Sequence, residues 1–281
     1  MDAATDAPRV KPEDACALAA SLYGFDATVR ALPSYRDANF AIDVDGEPVA
    51  VLKIVHPDTD PNRVAAWIAA HTAAEIAGDL PVPQILRDTS GGKRSTLCLN
   101  DGRIAVVYAV SWLEGQNLGD IDPSDRPLGL WRQLGFVLAR LGERLAGIDA
   151  VALDGDPRWD LARAAWALDY THLHEDPAQR ELVEAALLQY LGAVRARESE
   201  LPLGVIHGDA NDYNLLVDAT GAGLNSELRL SGILDFGDLT RSPRIYELAI
   251  AGAYAIFGAE DPVAVLKELV AGWCEVSGLT A

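Results

Sequence analysis

Near residue 111 the sequence changes period, and that change constrains the fold more than any other feature. Before it, short β-rich runs are joined by tight-turn residues. Residues 35–44 and 48–55 flank Asp45-Gly46, and residues 95–99 and 103–110 flank Asn100-Asp101-Gly102. Both patterns predict β-hairpins, because Asp-Gly and Asn-Asp-Gly supply the positive φ angles that a two-residue hairpin turn requires. After the change, residues 130–148, 159–173 and 180–198 carry apolar side chains at helical spacing. The segment 111–118 leaves the strand pattern in extended form and reads as a hinge. The chain therefore divides into a sheet-rich N-terminal part, 1–110, and a mainly helical part, 111–281.

Two helices are expected in the first part. Residues 13–25 repeat apolar positions at helical spacing and stop at Gly24, and a second helix runs from Asp60-Pro61 to about Ile76. Lys53 lies on the strand just before that second helix. Inside the helical part, residues 205–218 and 229–239 are short apolar runs with polar clusters. The loop 219–227 separates them, and they read as a small hairpin carried on helices.

The 281 residues hold 23 Lys and Arg against 42 Asp and Glu, a formal charge of −19. That field repels nucleic-acid phosphates and anionic lipid headgroups, and it either favours cationic small molecules or serves solubility. The most apolar late stretch, Leu248 to Phe257, is too short to span a bilayer. Cys16, Cys98 and Cys274 have neither disulfide-framework nor zinc-site spacing. The expectation is a cytoplasmic protein in a reducing compartment, with no nucleic-acid or membrane partner.

The chemistry concentrates in His207-Gly208-Asp209, then Asn214 five residues on, then Asp235-Phe236-Gly237 at the end of the next apolar run. Phosphoryl transfer needs one carboxylate to orient the attacking hydroxyl and take its proton. It also needs hard oxygen donors for the magnesium that neutralises the β- and γ-phosphates. Asp209 suits the first role, and Asn214 and Asp235 suit the second. The competing reading of such residues is a surface turn with capping Asp and Asn side chains.

Residues 207–214 together with 233–238 resemble the catalytic and metal loops of the aminoglycoside phosphotransferase, choline kinase and homoserine kinase superfamily. Segments 32–40, 51–54, 80–83, 158–161, 205–217, 233–238 and 247–256 are similar to the hydroxylysine kinase branch, which includes domains fused to class III aminotransferases. The resemblance covers nearly the whole chain. It implies an α+β, bilobal, protein-kinase-like fold with a small antiparallel-sheet lobe bearing one main helix and a larger, mostly helical catalytic lobe. It also implies a chain shortened at its C-terminus and continuous with further domains in a longer protein.

The same resemblance implies several site residues. Lys53 is the strand lysine that contacts the α- and β-phosphates. Ser34, in a segment without glycine, faces the nucleotide or else belongs to an ordinary turn built on Asp37 and Asn39. Val110 and Trp112 pack on the base, with backbone groups of 109–113 at the purine edge, unless Trp112 is plain core. Glu75 pairs with Lys53 or is a solvated carboxylate, and His71 is a structural histidine. Asp212 and Asp238 bind metal or a cationic substrate, or serve as caps and ion-pair partners. His207 shapes its loop, Glu247 favours a helix dipole, and Trp159-Asp160 is a packing anchor.

The implied reaction moves the γ-phosphate of ATP or GTP, with Mg2+, to the hydroxyl of a small amine-bearing molecule such as hydroxylysine, an amino alcohol or homoserine. Two alternatives stand beside it: an aminoglycoside antibiotic phosphotransferase, and a nucleotide-binding pseudokinase or regulatory domain of a fusion protein.

Overall fold

The computed structural model describes residues 7–76, 78–148, 150–153, 159–220 and 227–278. Its internal contacts divide the chain into two compact units, Met1–Glu114 and Gly115–Ala281.

The first unit opens with α1 (Pro12–Tyr23), which has Pro12 at the first position and Glu13 and Asp14 in the first turn. It ends at Gly24, whose φ of 73° lets its N–H and that of Phe25 return to Ala20 and Ala19 carbonyls. A five-stranded antiparallel sheet follows, in the order β1-β2-β3-β5-β4. Its strands are β1 (Thr28–Leu32), β2 (Ala38–Val44), β3 (Glu47–Ile54), β4 (Ser95–Cys98) and β5 (Ile104–Ser111). The turn between β2 and β3 uses Asp45 at φ 54° and Gly46 at φ 90°, the left-handed pair that its sequence predicts. The region 35–44 is not one strand, because residues 33–37 form the connection between β1 and β2.

Alternation along the strands sends Phe40, Ile42, Ala50, Leu52, Ile54, Val107 and Ala109 to one face, where they pack with Ala15 and Ala19 of α1. Each fully buried large side chain there is worth roughly 1.5–3 kcal/mol. The opposite face carries Asn39, Lys53 and Tyr108, which are direct cross-strand neighbours. Helix α2 (Pro61–Glu75) is capped by Asp60, whose carboxylate accepts the Asn62 N–H at 2.8 Å.

In the second unit, β6 (Gln116–Asn117) pairs with β8 (Leu215–Thr220), which pairs with β9 (Glu227–Ile233). The expected hairpin is therefore β8-β9; its loop, 221–226, lies outside the described residues. Strand β7 (Leu203–Ile206) instead pairs with β10 (Thr240–Pro243), a strand that its Thr-Arg-Ser-Pro sequence does not announce. The helices are α3 (Leu128–Arg144), α4 (Pro177–Gln189), α5 (Ile245–Ala255) and α6 (Pro262–Ser277). An Asp-Pro step opens α4 and α6 as it opens α2, with Asp176 and Asp261 accepting the first free amides.

Helices α3 and α6 cross at two glycines. A Cβ on Gly135 would lie 2.0 Å from the Leu269 carbonyl oxygen, and one on Gly272 would lie 1.9 Å from that of Arg132. Residues 161–173, expected as an α-helix, form a 3-10 run in which only Thr171 is buried. Helices in proteins draw most of their stability from burying an apolar face, and Trp166, Tyr170 and Leu173 stay exposed here. Trp159 is 66% exposed, so the packing anchor is Asp160 alone. It caps the run through the Ala162 N–H and accepts the Ser242 hydroxyl at 3.2 Å.

No helix among the described residues is long and apolar enough to cross a membrane.

Candidate active site

The loop between β7 and β8 carries His207 to Asn214. Gly208 sits at φ 79°, and a Cβ there would be 3.0 Å from the Asp238 carbonyl oxygen, so the turn into Asp209 needs glycine for both reasons. Asp209 Oδ2 accepts the Asn211 amide at 2.9 Å and the Asn214 amide at 2.8 Å. Asn211 Oδ1 in turn accepts the N–H groups of Tyr213 and Asn214. The loop is thus a closed polar turn that leaves Asp209 Oδ1 outside these bonds.

Asn214 Nδ2 also donates to the Asp209 carbonyl at 2.9 Å. With both amide protons directed at Asp209, the Asn214 side-chain oxygen is turned the other way. Asp235 opens the turn after β9 in a left-handed conformation, φ 54°, and Oδ1 accepts the Gly237 N–H at 3.1 Å. It is exposed.

Burial holds the Asp209 carboxyl above its ordinary range, and repulsion from Asp235 adds to this against the opposing hydrogen bonds from Asn211 and Asn214. The exposed Asp235 carboxylate and the side-chain oxygen of Asn214 are hard donors of the kind a divalent cation takes. No group of three or more His, Cys, Asp or Glu suited to a metal exists among the described residues. The candidate set depends on the amide of Asn214 to complete it.

His207 is fully buried and shapes the loop. Its Nδ1 accepts the Asp209 N–H at 3.3 Å, which makes Nε2 the protonated nitrogen, donating to the Leu234 carbonyl at 2.8 Å. The ring also meets Phe236 edge-on at 5.4 Å. One imidazole therefore ties the segment containing Asp209 to the segment containing Asp235.

Glu247 is the residue that sequence reasoning undervalued. It does stand in the first turn of α5, but it is 3% exposed and accepts the His207 N–H. Burial raises its pKa, partly offset by His207 and by hydrogen bonds from the backbone of His207 and Gly208. No local sequence signal separates this carboxylate from an exposed helix-start acid.

In the first unit, Lys53 is 8% exposed between Asn39 and Tyr108. Glu75 Oε2 accepts the Ile85 N–H at 3.2 Å. His71 is 2% exposed, with Nδ1 3.0 Å from the Pro83 carbonyl. Ser34 is exposed in the β1-β2 connection. Asp37 accepts the His56 N–H from beyond β3 at 2.9 Å. Val110 is buried in β5, and the Arg30 guanidinium lies 5.4 Å from the centre of the Trp112 ring, covering one of its faces. The Ala109 carbonyl and the Ser111 and Trp112 amides are engaged by Leu86, Gln84 and Val49.

In the second unit, Asp212 pairs with Arg126 at 2.8 Å. Burial raises the Tyr254 pKa, and Asp209, Asp212 and Asp238 raise it further.

Comparison with known proteins gives these features a family. Residues 28–281 match the phosphotransferase enzyme family designated APH. A hydroxylysine kinase of Mus musculus is 27% identical over 287 residues, covering 95% of this chain and 75% of that protein. A solved amicoumacin kinase, in complex with AMP-PNP and Ca2+, shares the fold with a TM-score of 0.70 at 14% identity, covering 97% of this chain and 80% of the other. A microcompartment-associated aminopropanol kinase superposes with a TM-score of 0.61 at 18% identity, covering 96% and 82%. The α+β kinase-like fold is that of these neighbours, and the chain belongs to the phosphotransferase enzyme family as a small-molecule kinase.

Proposed function

We propose that this kinase transfers the γ-phosphate of ATP or GTP to the hydroxyl of a small amine-bearing molecule, of the hydroxylysine, amino alcohol or homoserine kind. The observation that carries the reading is the Asp209 carboxylate, with Oδ2 held by two amides, Oδ1 outside those bonds and a raised pKa. A base held above the ordinary carboxylate range is better matched to taking a hydroxyl proton near neutral pH. Asp209 orients the acceptor hydroxyl and receives its proton. Asn214 and Asp235 would hold Mg2+, which supplies charge neutralisation of the transferring phosphate when bound. Lys53 would contact the α- and β-phosphates, and Val110 and Trp112 would pack on the base.

The acceptor class follows from charge. The formal charge of −19 draws cations. The named relatives, hydroxylysine kinase and aminopropanol kinase, act on acceptors of that kind. The three free cysteines suit a reducing, cytoplasmic setting.

The test is nucleotide consumption, with ATP and with GTP, against amino alcohols, hydroxy amino acids and aminoglycosides. Turnover on a small amino alcohol or hydroxy amino acid, abolished by Asp209→Asn with nucleotide binding retained, is the expected result. Turnover confined to aminoglycosides would reassign the acceptor. Near-normal turnover of Asp209→Asn would remove Asp209 as the base.

A further inference from the structure

We infer that Arg126 is a positioning residue for the catalytic loop, holding the strap 117–126 against residues 212–213 so that Asp209 keeps its geometry. The inference rests on the kinase reading above for its consequence in turnover, but its structural content stands apart from it.

Three independent bonds join strap and loop. The Asn117 side-chain amide donates to the Tyr213 carbonyl at 2.7 Å, the Gly119 N–H to the Asp212 carbonyl at 3.0 Å, and Arg126 Nη1 to Asp212 Oδ2 at 2.8 Å. Gly119 is where Tyr213 rests, since a Cβ there would lie 2.9 Å from its ring. The guanidinium is 4% exposed. Nε and Nη2 donate to the Ile121 carbonyl at 3.1 and 2.9 Å, and Nη2 also donates to that of Leu118 at 3.0 Å. The fork is thereby fixed by the strap's own backbone, and its remaining arm is aimed at the loop. Four of the five guanidinium N–H groups are engaged in these bonds, and the arm that reaches the loop does so through Asp212.

Asp212 stands between the base and the candidate metal ligand, three residues after Asp209 and two before Asn214. Its Oδ1 is buried and accepts no hydrogen bond among the described residues. A carboxylate in that state depends on its one charged partner. Without Arg126 the loop relieves the unpaired charge by moving Asp212 toward water, and Asn211 to Asn214, which hold Asp209 Oδ2, move with it. Displacements of about 1 Å at a reacting group cost on the order of a hundredfold in rate.

The experiment compares Arg126→Met, Arg126→Lys, Asp212→Asn and the double variant Arg126→Met/Asp212→Asn with the full wild-type chain. It reads kcat and KM for the nucleotide, thermal unfolding, and hydrogen–deuterium exchange of amides 209–214. Arg126→Met is expected to lower kcat at least about tenfold with nucleotide KM within about threefold, and to speed exchange of the Asn211, Tyr213 and Asn214 amides. Arg126→Lys should recover little, because one ammonium cannot reach Leu118, Ile121 and Asp212 together. The double variant should be no worse than Arg126→Met, since it removes the unpaired charge as well.

Two outcomes overturn the inference: a folded Arg126→Met enzyme with wild-type kcat and wild-type exchange over 209–214, or losses from the two single variants that multiply in the double. If the wild type phosphorylates no acceptor, the proposed function fails, and the exchange data still decide the role of Arg126.

Discussion

The Glu247 carboxylate, enclosed at the start of α5, accepts the backbone N–H of His207, two residues before Asp209. The acid thus reaches the loop that carries Asp209 through main chain, and replacing it affects the loop whatever side chains the loop bears. Glu247→Gln keeps shape and one acceptor oxygen but turns an amide donor toward Gly208. A fall in kcat of about ten- to a hundredfold with little change in nucleotide KM is expected, measured by steady-state kinetics.

The same residue gives a pH signature. Its pKa is raised in the folded protein, chiefly by burial. Its contribution to stability is therefore complete below the ordinary carboxylate range and is lost as pH rises through the displaced value. Relative to Glu247→Gln, the wild-type unfolding temperature should decline as pH rises from that range toward neutrality. Parallel curves for the two proteins would show that Glu247 does not titrate there.

Glycine at the α3-α6 crossing is a demand of space. Gly135→Ala adds a methyl where 2.0 Å separates the position from the Leu269 oxygen. Alanine favours a helix by about 1 kcal/mol, but overpacking costs about 1–3 kcal/mol or more, so the steric term wins. The expected result, by calorimetry, is a lower unfolding temperature for Gly135→Ala and for Gly272→Ala, by several degrees each. A rise in either would mean the crossing is loose.

Gly208→Ala combines a left-handed φ with the 3.0 Å approach to the Asp238 carbonyl. Strain of about 1–2 kcal/mol, placed next to Asp209, should cut kcat more than it lowers the unfolding temperature. Both are read on one preparation.

Asp235→Asn tests the metal reading without disturbing the turn, since Asn tolerates the left-handed conformation that Asp235 adopts at φ 54°. The concentration of Mg2+ needed for half-maximal turnover should rise at least about tenfold, because the charged member of the proposed Asn214–Asp235 pair becomes neutral. Calorimetric titration of Mg2+ into the nucleotide-bound protein gives the same comparison without turnover.

Where sequence signals were local, they placed elements well. Asp45-Gly46 and Asn100-Asp101-Gly102 marked hairpins, Gly24 closed α1, and Asp60-Pro61 opened α2 within a residue. The spacing of Asp209, Asn214 and Asp235 named three groups that the fold brings to facing turns. What sequence left hidden depends on distant packing. The β7-β10 pairing joins residues 34 to 40 positions apart, and the 3-10 character of 161–173 goes with a run in which only Thr171 is buried. Glu247 and Arg126 look like ordinary surface charges until the fold encloses them.

His207 uses both ring nitrogens, one to accept the Asp209 N–H and the other to donate to Leu234. The imidazole is thereby a cross-brace between the turn that carries Asp209 and the strand end that leads to Asp235. Among the described residues the side chains bonded to Asp209 are the amides of Asn211 and Asn214, which do not relay protons, so in the proposed transfer the proton leaves outward, to solvent or with the departing product.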